Sequence, residues 1–185
     1  MSDITSWTLD SQHTTVEFAV RHLMIATVKG RFGEAQGTVQ LDLGNPASTE
    51  VEVTIPVASI DTRSSDRDTH LRSADFFDAE QHPEMTFRSK RVEPAGKQQY
   101  RLIGDLTIRG VTREVALEVE FAGTAKDPWG GTRAAFSVTG KINRHDFGLN
   151  WNAVLESGGV VVGPEVKIAI EAELVAVVGQ EAVAV

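Results

Sequence analysis

The 185 residues carry 18 basic and 26 acidic side chains, a formal charge of −8, so the summed field repels nucleic-acid phosphates and anionic lipid surfaces. The chain has no cysteine, which excludes disulfides, thiolate nucleophiles and thiolate metal sites together. The length suits one domain spanning residues 1–185, with a core from about 7 to 176 and a frayed tail over 177–185.

The opening residues Met1-Ser2-Asp3-Ile4-Thr5-Ser6-Trp7 show no basic, apolar or cleavage segment of a secretory signal. The expectation for the sequence as written is therefore cytoplasmic, and periplasmic only if a signal has been removed. No apolar run approaches the roughly 18 to 20 residues of a membrane helix, so the chain is not expected to span a membrane.

From Val16 onward apolar and polar residues alternate with period two, the signature of half-buried strands. Val16, Phe18 and Val20 form the first stripe. Next in the chain, His22 to Val28 is apolar at near-helical spacing and ends at Gly30; Gly30-Arg31-Phe32-Gly33 reads as a strand opening, since it lacks the context of a phosphate loop. The second stripe is Ala35, Val39, Leu41 and Leu43, and the third is Val51, Val53, Ile55 and Val57.

Between the third and fourth stripes the run 61–72 holds Arg63, Arg67 and Arg72 against Asp61, Asp66 and Asp68. Its Ser65-x-x-Asp68 start resembles a weak capping box, which predicts one short helix from Ser64 to Ser73 that leads into Phe76-Phe77 and stops by Pro83. A charge-balanced run reads first as self-paired and pinning a lid helix to the rim. The functional alternative places its arginines against an anionic head group.

Met85 and Phe87 start the fourth stripe. Tyr100, Leu102, Leu106 and Ile108 make the fifth, with Gly104 marking a bulge or a close backbone approach. Val115 to Phe121, then Phe136, Val138 and Ile142, then Val166 to Leu174 complete the set, and a third irregular piece covers Phe147 to Leu155. Turn residues such as Gly44-Asn45-Pro46, Pro94-Ala95-Gly96, Arg109-Gly110 and Gly158-Gly159 make consecutive strands antiparallel neighbours. Eight one-faced strands point to an all-β, eight-stranded antiparallel barrel, because closure also removes exposed edges. Short helical pieces would cap or line it, while a barrel of this size is either filled or holds one small ligand.

None of the five histidines forms a metal-binding spacing, so no metal is expected. His145 and Asp146 read as structural, because neighbours on a strand point to opposite faces. Ser64-Ser65 and Ser157-Gly158 match no nucleophile motif.

Asp10 to His22, Val28-Lys29-Gly30-Arg31-Phe32, Ser59-Ile60-Asp61-Thr62, Arg67 to Asp78, His82-Pro83-Glu84-Met85-Thr86-Phe87, Gly104 to Thr112, Ile142 to Leu149 and Val162 to Val166 together resemble the YceI family of polyisoprenoid-binding proteins. The similarity runs from about Trp7 to Leu174. It implies a lipocalin-like barrel whose interior takes an isoprenoid chain, such as a polyprenyl phosphate or a quinone tail. Several members carry a secretion signal, and this sequence departs from them there. The family has no established catalytic residues, so none is carried over and no enzyme is expected.

The expected apolar lining is Phe18, Val20, Met24, Ile25, Val28, Phe32, Val53, Ile55, Phe76, Met85, Phe87, Leu106, Ile108, Phe136, Phe147, Leu149 and Trp151, with His22, Arg63, Arg67, His70 and Arg144 as candidate head-group contacts. No cofactor beyond the lipid is implied, the role being that of a carrier, store or sensor; a homodimer is compatible with this. The alternative, an enzyme acting on a hydrophobic substrate, needs titratable groups meeting in the cavity, with His22, His145 and Asp146 as candidates.

Overall fold

The computed structural model describes residues 5–42 and 44–178. In chain order its elements are β1 (Thr5–Leu9), β2 (Thr15–His22), β3 (Ala26–Phe32), β4 (Gln36–Leu41), β5 (Glu50–Pro56), β6 (Ile60–Asp61), α1 (Ser65–Arg72), β7 (Glu84–Gly96), β8 (Gln99–Ile108), β9 (Val111–Lys126), β10 (Thr132–Asn143), β11 (Val154–Leu155), β12 (Gly159–Val160) and β13 (Val162–Ala176). Leu43 and the tail from residue 179 lie outside the described residues. No described helix is long and apolar enough to cross a membrane.

The strands close into one barrel of eight antiparallel staves. β1 and β2 both run antiparallel to β13, against Leu174–Ala176 and Val162–Glu171 respectively, so they are one stave bent at residues 10–14. In the same way β3 pairs with β2 and β4 with β1, and β6 pairs with β3 and β5 with β4. β7 to β10 follow as a meander, and β13 closes the ring between β10 and the first stave. The alternation on β13 shows why the barrel forms: Val166, Ile168, Ile170, Ala172 and Leu174 face inward, while Lys167 and Glu171 face solvent.

Three local expectations are corrected. Residues 22–28 are not helical but the tip of a β-hairpin, with Leu23 and Met24 at φ 53° and 65° in its turn. Gly30–Phe32 therefore ends a strand instead of opening one. Helix α1 is capped by Ser64, not Ser65: the Ser64 hydroxyl accepts from the Arg67 amide at 3.4 Å, while Asp68 is buried and accepts from the Thr62 amide and hydroxyl. At Gly104 the expected close approach is present, because a Cβ there would strike the Arg88 carbonyl and the Phe87 ring, and β7 bulges opposite it.

Away from the helix, the bend of the first stave is locked by charge. The Arg133 guanidinium donates to Asp10, Asp127 and Glu173, which come from the bend, the β9–β10 turn and β13. The His13 hydrogen bond, and then Arg133, hold the Asp10 carboxyl down at about 2. Its unfolded value is near 3.8, so its contribution to stability is present above about pH 4 and is lost as the pH falls through about 2. Asp10→Asn is expected to flatten that part of the acid limb, measured as urea midpoints over the same pH range.

Candidate ligand-binding site

The inward stripes leave the barrel hollow. The cavity has a volume of about 820 Å³ and is walled by aliphatic and aromatic side chains from every stave. Mid-barrel residues such as Val20, Leu102, Val138 and Ile168 are only half-buried although they point inward, because they face this hollow and not a packed partner. At the far end Trp7, Val39, Leu41, Ala134 and Leu174 pack into a buried floor.

The cationic lining groups Arg67, His70, Arg144, Arg21 and His22 gather at the opposite end, around α1, with Thr62 and Asp66; elsewhere the wall carries Glu17 of β2 and the hydroxyls of Thr14, Thr49, Tyr100 and Thr124. Exposed Arg21, Asp66 and Arg67 mark the mouth there. Beneath it, Val57, Ile60, Met85, Ile108, Phe147 and Leu149 form a second buried cluster with Leu71 and Phe77 packed against it. His70 is wedged against Phe76 and Trp151, with ring centroids 5.1 and 4.7 Å away, and its Nε2 lies 2.9 Å from Asp75.

Every expected apolar lining residue except Met24 and Ile25 lines the cavity. Those two sit at the hairpin tip, 56% and 80% exposed, because the turn at Leu23-Met24 throws them outward. Among the polar candidates, His22, Arg67, His70 and Arg144 line the cavity and Arg63 does not. Arg63 is exposed at φ 63° with its amide donated to Asp61.

The arginines of 61–72 do pin the helix, though through carbonyls more than carboxylates. Arg67 donates to the Thr62 hydroxyl and carbonyl, and Arg72 to the carbonyls of Ala58 and Ile60. Asp61 pairs instead with Arg31 on β3. Arg144 is buried and donates to the carbonyls of Gly163, Leu149, Trp151 and Val162, which ties the 149–163 segment across the barrel end. No carboxylate pairs with it among the described residues, and burial lowers its pKa.

The titratable trio considered for catalysis is not brought together. His145 and Asp146 lie on a 3₁₀ turn, Arg144–Phe147, and not on a strand; both are exposed and outside the lining, with His145 Nδ1 at 3.0 Å from the Asn150 side chain. Asp10, His13 and Glu173 do converge, but the Arg133 cation already occupies Asp10 and Glu173.

A family model described as YceI-like domain matches residues 7–174. The chain belongs to the YceI-like family. The UPF0312 protein SA2479 of Staphylococcus aureus is 39% identical over 171 residues, covering 92% of this chain and 97% of that protein. Among solved structures, Burkholderia cenocepacia BcnA superposes with a TM-score of 0.79 at 25% identity, covering 89% of this chain and 98% of that one. The Campylobacter jejuni YceI protein does so at 0.70 and 32%, covering 87% and 90%. A polyisoprenoid-binding domain from Saccharophagus degradans shares the fold at 0.69 and 16% identity, over 94% of this YceI-like chain and 99% of that one.

Proposed function

We propose that this YceI-like barrel binds one long isoprenoid-type lipid, its apolar chain along the hollow and its polar end at the α1 mouth, as a carrier, store or sensor. The observation that carries the reading is the asymmetry of the cavity: an apolar tube whose cationic lining groups, Arg21, His22, Arg67, His70 and Arg144, all lie at the α1 end, while the far end carries only the hydroxyls of Thr49, Tyr100 and Thr124. Burying an apolar chain gains about 0.8 kcal/mol per CH₂ and asks for no polar partner along its length, which suits such a wall.

The mouth favours a phosphate over a quinone head. Arg21, Arg67 and His22 have no carboxylate partner among the described residues, against two exposed lining acids, Asp66 beside them and Glu17 further along β2. Guanidinium groups pair well with phosphate oxygens. The name of the Saccharophagus domain, a polyisoprenoid-binding protein of the same fold, agrees with this ligand class. The test is organic extraction of protein purified without detergent, followed by mass spectrometry. A stoichiometric isoprenoid, enriched in phosphorylated species, is expected; a protein that yields none and also refuses added polyprenol would refute the reading.

A further inference from the structure

The β2–β3 hairpin breaks a local rule. A tight turn with positive φ at both central residues ordinarily takes Asn or Gly, yet here Leu23 and Met24 hold φ 53° and 65°. The strained turn drives Met24 and Ile25 into solvent, 56% and 80% exposed, when burial would favour both. A second hairpin, β11–β12, stands beside it: Val154 on its first strand is 84% exposed, and its turn carries the exposed Glu156. The two hairpins are joined, since the Leu23 amide donates to the Val161 carbonyl at 2.9 Å and Met24 Cγ lies 3.4 Å from where a Cβ on Gly159 would stand. They also flank the mouth, because His22, Trp151, Val161 and Val162 line the cavity.

Charge along the β2–β3 hairpin runs against the rest of the molecule. Between Glu17 and Glu34 the chain holds Arg21, His22, Lys29 and Arg31 and no carboxylate, in a chain of net charge −8. Arg31 is paired with Asp61. Arg21 bonds the Thr27 hydroxyl and the Met24 carbonyl, and neither it nor exposed Lys29 has a carboxylate partner among the described residues. An apolar tip backed by unpaired cations, as on the β2–β3 hairpin, is complementary to a bilayer surface, where apolar side chains enter the acyl boundary and cations sit at the phosphates.

We infer that these paired hairpins dock the protein on a membrane: Met24, Ile25 and Val154 enter the interface, Arg21 and Lys29 meet anionic head groups, and the cavity mouth faces the lipid. The docking itself rests on exposure and charge; only the purpose, loading the barrel, rests on the proposed function.

Vesicle flotation of the full chain tests it, with phosphatidylcholine alone and with mixed phosphatidylcholine and phosphatidylglycerol. The wild type is expected to float with the mixed vesicles, and the double variant Met24→Ser/Ile25→Ser to lose about tenfold in partitioning. Arg21→Gln/Lys29→Gln is expected to abolish the preference for phosphatidylglycerol and its salt sensitivity. Wild-type protein that stays in solution, or variants that float as it does, would overturn the docking. Loading with polyprenol delivered from cyclodextrin, without vesicles, is expected to be the same in the wild type and in Met24→Ser/Ile25→Ser, whose two positions lie outside the cavity lining. Failure of that loading in the wild type would overturn the cavity reading while leaving the flotation result intact.

Discussion

Val138→Trp is expected to lower the affinity for a polyprenol by about a hundredfold while leaving the barrel folded. Val138 lies at mid-barrel on β10, between Val119 of β9 and Ile170 of β13, and faces the hollow. An indole there occupies the tube that the chain must thread. If it displaces about four CH₂ equivalents, the loss is about 3 kcal/mol at about 0.8 kcal/mol each. Overpacking ordinarily costs stability because no space is free, but here the side chain enters an existing void, so urea midpoints are expected to hold or rise slightly. Thr139→Trp, one residue on and outside the cavity lining, is the control and should bind as the wild type does. Equal binding by Val138→Trp and the wild type in a fluorescence competition assay would mean that the chain does not run through the barrel.

Arg144→Met has the largest expected cost in stability, about 3–5 kcal/mol. The substitution keeps an apolar stem but leaves the backbone carbonyls of Leu149, Trp151 and Gly163 without the donor that now satisfies them, while Val162 keeps only the Asn152 amide. A buried acceptor without a partner costs about 1–3 kcal/mol, and the 149–163 segment can relax part of that by admitting water. Arg144→Lys keeps the charge, yet an ammonium on one carbon cannot reach carbonyls spread around a planar fork, so it should recover less than half of the loss. Urea unfolding at neutral pH measures both. A Met variant within about 0.5 kcal/mol of the wild type would show that the carbonyls are not held by this side chain.

The barrel was legible because each stave has one face toward the hollow and one toward water, which writes period two into the sequence. It failed where that contrast fades. β3 turns only Val28 and Phe32 into the cavity with Gly30 between them, and Gly30 must stay small because the Phe18 ring of β2 stands where a Cβ would go. Without a large residue at that position the stripe dissolves and the run passes for a helix. β1 offers only Trp7 and Leu9 over five residues, too few to register as alternation.

The site was legible to the same extent. Wall residues follow from the stripes, whereas the outward throw of Met24 and Ile25 depends on backbone angles that apolarity does not reveal. Arg133 and Asp10 lie 123 positions apart, and nothing local in either segment announces the ion cluster that locks the first stave. Arg144 is similar: as a cation near the mouth it resembles a head-group contact, but its fork is largely consumed by carbonyls that only the folded 149–163 segment brings within reach.

On the proposed function, the hollow holds a single isoprenoid chain with its head at the α1 end. A crystal structure of the protein grown with a polyprenyl phosphate tests it most directly. Continuous density is expected along Val20, Leu102, Val138 and Ile168, with the phosphate beside Arg67 and His22. An empty barrel with lipid bound on its outer face, or a phosphate seated at the Trp7 and Leu41 floor, would contradict it.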